Sequence, residues 1–183
     1  MRDTKNEVLR FWLEETSPAQ WFQKNAAFDA DISDRFMTTY DMAVKDLCAA
    51  WTKDADGVLA LCIILDQFPR NMFRDQAKAF ATDDKILNIV KEALHKGFDQ
   101  ILPPVKRRFI YMPFMHSENI EEQKRSAQMF KSMKDNDPLS YDYALKHLEV
   151  IEKFGRFPHR NEILGRISRA DEIQHLRIAG SGF

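Results

Sequence analysis

Arginine, histidine, asparagine, proline and aromatic residues recur together in three short segments of this chain. They are Gln67-Phe68-Pro69-Arg70-Asn71, Tyr111-Met112-Pro113-Phe114-Met115-His116-Ser117-Glu118 and Arg156-Phe157-Pro158-His159-Arg160-Asn161. Helix connections usually use small turn residues, so this composition marks the junctions as candidate sites. Guanidinium forks match carboxylate and phosphate, and asparagine amides add neutral donors and acceptors. Arg70, Asn71, Arg156, His159, Arg160, Asn161 and Arg166 would line a concave polar pocket, with Tyr111, Phe114 and Phe157 as its walls. Such a pocket suits an anionic small molecule or a peptide terminus. The competing reading is that the arginines bind helix-terminal carbonyls and buried carboxylates, where cations are favoured anyway.

Two further arrangements bear on catalysis. Asp66 sits near the end of an apolar helix, where a carboxylate needs a partner such as Arg70 or Arg74. It reads as a salt bridge fixing the helix end, or as an acid or base in a pocket. His116 or His159 would serve as general base, oriented by Asp66 or Glu118, in a hydrolase or transferase acting on an anionic substrate. A metal site would need at least three converging ligands. His116, Glu118, His147 and His159 are spread too widely to form one without folding, and no metal or other cofactor is expected. His147 and Glu149 diverge on a helix. No GxxxxGK[ST], GxGxxG or GxSxG motif is present. Ser117 reads as a helix cap rather than a nucleophile.

The elements that must position these residues are helical. Val8, Phe11 and Trp12 recur at helical spacing within Glu7 to Glu15. Ser17-Pro18-Ala19-Gln20 reads as a capping box with proline in the first turn. Asp31 to Trp51 reads as one helix, carrying Ile32, Phe36, Tyr40, Ala43, Val44 and Leu47. Asp54 would cap Ala55 to Phe68, apolar nearly all round and therefore central, with Pro69 ending it. A helix follows from Thr82 to about Lys96, closed by Gly97, and another from Leu102-Pro103-Pro104 through Tyr111. Ser117 or Asn119 caps a helix reaching Met133. Asp137-Pro138 opens one to Phe154, closed by Gly155, and Ser168 to Asp171 starts a last one to about Arg177. Short connections imply antiparallel pairs, and no strand is expected. The chain reads as a single helical domain over 1–183 with a short C-terminal tail, 179–183. The terminal Phe183 would either fray or fold back toward the arginines.

The chain has 183 residues, 44% of them hydrophobic, and a formal net charge of -1. It is long enough to bury a sizeable core. Near-neutral charge argues against nucleic acid or an anionic membrane as partner. The apolar run Val58 to Leu65 is too short to span a bilayer, and the charged first residues do not resemble a signal peptide. Two cysteines, Cys48 and Cys62, read as buried free thiols rather than a disulfide framework. The cytoplasm is the expected location. A protein partner on the outer face is the third reading, in which the junctions only knit the helices together.

The run Leu59 to Asn71 with Phe73-Arg74 resembles the bacterial domain-of-unknown-function 924 family. So do Tyr111 to Glu118, Phe154 to Asn161, Ile163-Leu164-Gly165-Arg166 and Gly180-Ser181-Gly182-Phe183. The resemblance runs from about Glu7 to the end. It implies an irregular tetratricopeptide-like α-α superhelix, and it brings no established activity, substrate or cofactor. Two positions depart from the family pattern: Met115, where glutamate is common, and Asp75, where glycine is common. A role for a carboxylate just before His116 is correspondingly weakened.

Overall fold

The computed structural model describes residues 4–178, which are all-helical with no strand. By contact they fall into two compact units, 4–74 with 78–113 and 114–178 with 75–77. No helix among them is long and apolar enough to cross a membrane.

In the first unit, α1 (Thr4–Arg10) passes directly into a π-turn, Phe11–Glu15. α2 (Pro18–Phe22) starts as its sequence predicts, with Gln20 Oε1 accepting the Ser17 N–H at 2.8 Å. α3 (Ala26–Val44) is capped by Asn25, whose side chain accepts from the Ala27 and Phe28 N–H groups. The expected helix to Trp51 is not formed. The chain leaves α3 at Val44, Asp46 takes a left-handed φ of 61°, and a 3₁₀ turn covers Ala49–Lys53. Aspartate tolerates that conformation better than most residues. Leu47, placed by its spacing on the apolar face, is 67% exposed.

The break lets the 3₁₀ turn pack closely on α4 (Ala55–Cys62). A Cβ at Gly57 would come within 2.1 Å of the Trp51 carbonyl oxygen, so only glycine fits. Asp54 caps this helix by accepting the Gly57 N–H at 2.7 Å. Every residue from Val58 to Leu65 is buried, as expected of a central helix. Its core partners include the T-shaped Trp12–Phe68 and tilted Phe36–Phe68 ring pairs.

Pro69 does not stop this helix. A π-turn, Ile63–Gln67, carries the chain into α5 (Phe68–Met72), and Phe68 keeps helical angles despite preceding a proline. The Phe68 N–H bonds to the Ile63 carbonyl, one residue further back than in an α-helix. That wider turn makes room for the pyrrolidine ring, whose clash with the i−4 carbonyl normally breaks a helix. Proline also leaves the Leu65 carbonyl without its helical donor, and the Thr82 hydroxyl supplies one at 2.5 Å. Thr82 precedes α6 (Asp83–His95), which Gly97 closes with φ 71°. α7 (Phe98–Ile101) leads to α8 (Pro104–Met115). α8 runs past Tyr111, where the sequence spacing ends it. Pro113 sits in its last turn, where the missing N–H costs a single helical bond.

The second unit is built on α9 (Ile120–Lys131) and α10 (Pro138–Phe154), packed side by side across a short connection and therefore antiparallel. Of the two proposed caps, Asn119 starts α9, accepting from the Glu121 and Glu122 N–H groups. Asp137 caps α10 through the Ser140 N–H, and Gly155 closes it with φ 69°. A 3₁₀ turn, Pro158–Arg160, and α11 (Ala170–Leu176) complete the unit. Val150, Ile151, Phe154 and Phe157 form its apolar core, with Ile120 against them. Cys48 and Cys62 are buried free thiols. Burial, reinforced by the Asp66 charge, pushes the Cys62 thiol well above its usual range. The tail 179–183, including Phe183, lies outside the described residues.

Thr82→Val should strand the Leu65 carbonyl in the core. Urea unfolding should show a loss of about 1–3 kcal/mol, against a smaller change for the half-buried Thr52→Val, whose hydroxyl bonds at the surface.

Candidate functional site

In the first unit the junction residues meet carboxylates. Asp66 is fully buried, its Oδ1 3.2 Å from Arg70 Nη1, and its Oδ2 accepts Gln67 Nε2 at 2.5 Å. The fork of Arg70 makes two 3.1 Å bonds to Asp83 and also donates to the Asp66 carbonyl. That carbonyl lies at the π-turn, so Arg70 serves as the helix-end clamp proposed for it. Asn71 Nδ2 donates to Asp29 Oδ1 at 2.8 Å, and Arg74 grips the same carboxylate at 2.6 and 2.8 Å. Burial opposes the Asp29 charge, but the Arg74 and Asn71 bonds outweigh it and lower its pKa. The Tyr111 hydroxyl donates to Asp99 Oδ2 at 2.8 Å. Burial, together with that carboxylate, raises the pKa of the phenol. A groove of about 920 Å³ opens elsewhere in this unit, lined by Asn6, Glu7, Leu9, Arg10, Leu13, Glu14, Trp21, Val105 and Lys106. None of the junction residues lines it.

The second unit treats its arginines in two ways. Arg156 makes a bidentate pair with the fully buried Glu172 at 2.7 and 2.8 Å and donates to the Ile167 carbonyl. Those bonds, against burial, hold the Glu172 carboxyl at about 2. Asn161 donates to Ser168 Oγ and Glu172 Oε2. Arg166 pairs with Glu118 at 2.7 and 3.0 Å and donates to the Phe157 carbonyl. Glu118 also accepts the Phe157 N–H at 2.7 Å. Burial opposes its charge, but Arg166, the Phe157 N–H and the nearby Arg160 charge together lower its pKa.

Arg160 differs from its neighbours. Its guanidinium stacks 4.5 Å from the Phe157 ring centroid and donates through Nη2 to the His116 carbonyl at 3.0 Å. Around the same ring stand His147, with centroids 5.5 Å apart, and His159, at 5.6 Å. His116 lies 6.3 Å from His147. His116, His147 and Arg160 are all buried, while His159 reaches partway to the surface. His147 Nδ1 is 2.8 Å from the Tyr143 carbonyl, which only accepts, so Nδ1 carries the proton. Burial, then the His116 charge, with smaller effects of Arg160 and His159, depress the His147 pKa to about 3. Phe114 is buried nearby in sequence, with the Arg125 guanidinium 5.0 Å from its ring.

The structure thus gathers His116, His159, Arg160 and Phe157 from the junction list, and adds His147. Sequence spacing set His147 aside because Glu149, its nearest carboxylate, points elsewhere and is exposed. Among the described residues no group of three or more His, Cys, Asp or Glu is placed to hold a metal ion.

The family described as bacterial protein of unknown function (DUF924) matches residues 8–180. A solved protein of unknown function from Agrobacterium tumefaciens is similar at 37% identity and a TM-score of 0.89, over 95% of this chain and 97% of that one. No curated protein matches the chain.

Unfolded, His147 takes a proton near 6.5; folded, only near 3. Between those values the unfolded state binds more protons, so its contribution to stability is complete above pH 6.5 and is lost as the pH falls. Carboxylates add to acid sensitivity, so the informative quantity is a difference. From pH 7 to 4.5, His147→Gln should lose about 2–3 kcal/mol less unfolding free energy than the parent.

Proposed function

The chain belongs to the bacterial DUF924 family of proteins of unknown function, and we propose that it is a helical binding module whose second unit holds a small oxyanion. The ligand would sit against His116, His159 and Arg160, with Phe157 as the wall. One observation carries this reading: two imidazoles, His147 and His159, and the Arg160 guanidinium stand against the buried Phe157 ring, with His116 beside His147. A guanidinium and imidazoles gathered in a low-dielectric setting favour an anion. Phosphate and carboxylate share the required chemistry.

The other junction residues support the knitting role within the same reading. Arg70 holds Asp83 and the π-turn, Asn71 holds Asp29, Arg156 and Asn161 hold Glu172, and Arg166 holds Glu118. Acid–base catalysis finds less support, because Asp66 and Glu118 spend their oxygens on arginine, amide and backbone donors rather than on orienting an imidazole. Two buried free thiols suit a reducing compartment, the cytoplasm of a bacterium.

Calorimetric titration with inorganic phosphate and with acetate, at low ionic strength and against chloride, tests the reading. The parent should bind at least one of them at millimolar concentration or better. His159→Gln, at a part-exposed position, should weaken binding several-fold with an unchanged melting temperature. Arg160→Lys should weaken it roughly ten-fold, since a point charge replaces a fork. Binding that is absent in the parent, or unchanged in both variants, contradicts the reading.

A further inference from the structure

The groove of the first unit has an apolar floor and a charged rim. Val8, Phe11 and Trp12 turn into the core, whereas Leu9 and Leu13, on the same segment, are half-buried and line the groove. Trp21 and Val105 complete the floor. Trp21 Nε1 donates to the Trp12 carbonyl and to Thr16 Oγ1, each at 2.8 Å, so the indole offers the groove apolar surface only. That surface extends past the groove: Val105 is exposed, and the exposed Phe22 ring stands at right angles to Trp21 at 6.2 Å. One wall is α1 running into its π-turn, a feature that recurs at functional sites.

The rim charges divide by partner. Arg10 Nε donates to Glu15 Oε1 at 3.0 Å, and Lys106 Nζ lies 3.8 Å from Asp56 Oδ1. Glu7 and Glu14 have no hydrogen bond or ion pair among the described residues. Two uncompensated carboxylates therefore bracket Leu9 and Leu13. Seven residues of helix set them about 10 Å apart along the axis. The complementary occupant is cationic at two points and apolar between them. An amphipathic helix has that form, with apolar side chains at i, i+3, i+4 and i+7 entering a groove. A volume of about 920 Å³ takes one face of such a helix, and the apolar surface beyond it meets the rest. A second copy fits poorly, because an antiparallel two-fold pairing of this wall with itself sets Glu7 against Glu14.

We propose that this groove docks an amphipathic helix of a partner protein. Two lysines or arginines seven residues apart face Glu7 and Glu14, and leucine-sized side chains between them pack on Leu9, Leu13, Trp21 and Val105. This surface lies in the first unit and is independent of the anion site of the second.

Fluorescence anisotropy on the full chain, with two labelled alanine-based peptides, tests it. Both carry a leucine stripe at helical spacing; one has lysines seven residues apart beside the stripe, the other glutamates at the same positions. The lysine peptide should bind roughly ten-fold tighter than the glutamate peptide. The double variant Glu7→Gln, Glu14→Gln should erase that preference at an unchanged melting temperature, since neither carboxylate holds a partner. Val105→Asn, at an exposed position, should weaken both peptides several-fold. Equal binding of the two peptides, or a preference retained in the double variant, overturns the proposal. Tighter binding of the glutamate peptide overturns it by giving the groove to Arg10 and Lys106. Binding of an alkyl diamine without either peptide makes this a small-molecule site, and a dimer lost in Val105→Asn makes it a contact between copies; each overturns the proposal, as does no binding at all.

Discussion

Glu118 accepts the Phe157 N–H and pairs with Arg166, and Arg166 returns a bond to the Phe157 carbonyl. Both polar groups of one backbone residue are thereby fixed to a single ion pair, and the end of α8 is tied to the turn after α10. Phe157 can then be fully buried without stranding its peptide groups, which is the condition for burying any loop residue. The candidate site depends on this tie, since His147, His159 and Arg160 are all arranged against the Phe157 ring. Glu118 feels the Arg160 charge as well as that of Arg166, so the ion pair and the guanidinium on Phe157 share one electrostatic neighbourhood.

The first unit meets a related problem with different parts. A proline in a central helix would ordinarily break it. Here a π-turn widens the backbone before Pro69, the Thr82 hydroxyl satisfies the Leu65 carbonyl, and Arg70 satisfies the Asp66 carbonyl while holding Asp66 and Asp83. The Phe-Pro-Arg-Asn segment is thus a repaired helix, whereas the Phe-Pro-His-Arg-Asn segment is a true turn after a glycine-closed helix. Two segments that look alike do different work because one follows a helix with tertiary donors waiting and the other follows Gly155.

Much of the helical plan was legible because its signals are local. Asn119, Asp137, Asp54, Gly97 and Gly155 act at the ends their types predict. Pro69 and Pro113 misled because the outcome at a proline depends on distant partners such as Thr82. The end of α3 misled because apolar spacing continues to Trp51 while the chain has already turned at Asp46. At the junctions the residue types announced a polar site, but their partners were hidden. Asp83, Asp29 and Glu172 lie far from Arg70, Asn71 and Arg156 in sequence. His147 was named only among four residues that folding could gather, because nothing about an isolated histidine on a helix marks it as facing Phe157.

The central claim is that His116, His147 and His159 share one locality beside Phe157, with His116 and His147 buried and His159 half-buried. Long-range ¹H–¹⁵N correlation of the histidine rings, followed through a pH titration with and without inorganic phosphate, addresses it most directly. The account predicts one ring, assignable through His147→Gln, that stays neutral and protonated at Nδ1 to below pH 5, and a phosphate-induced shift in His159 or His116. Ordinary titration of all rings near pH 6.5, with no response to phosphate, would contradict it.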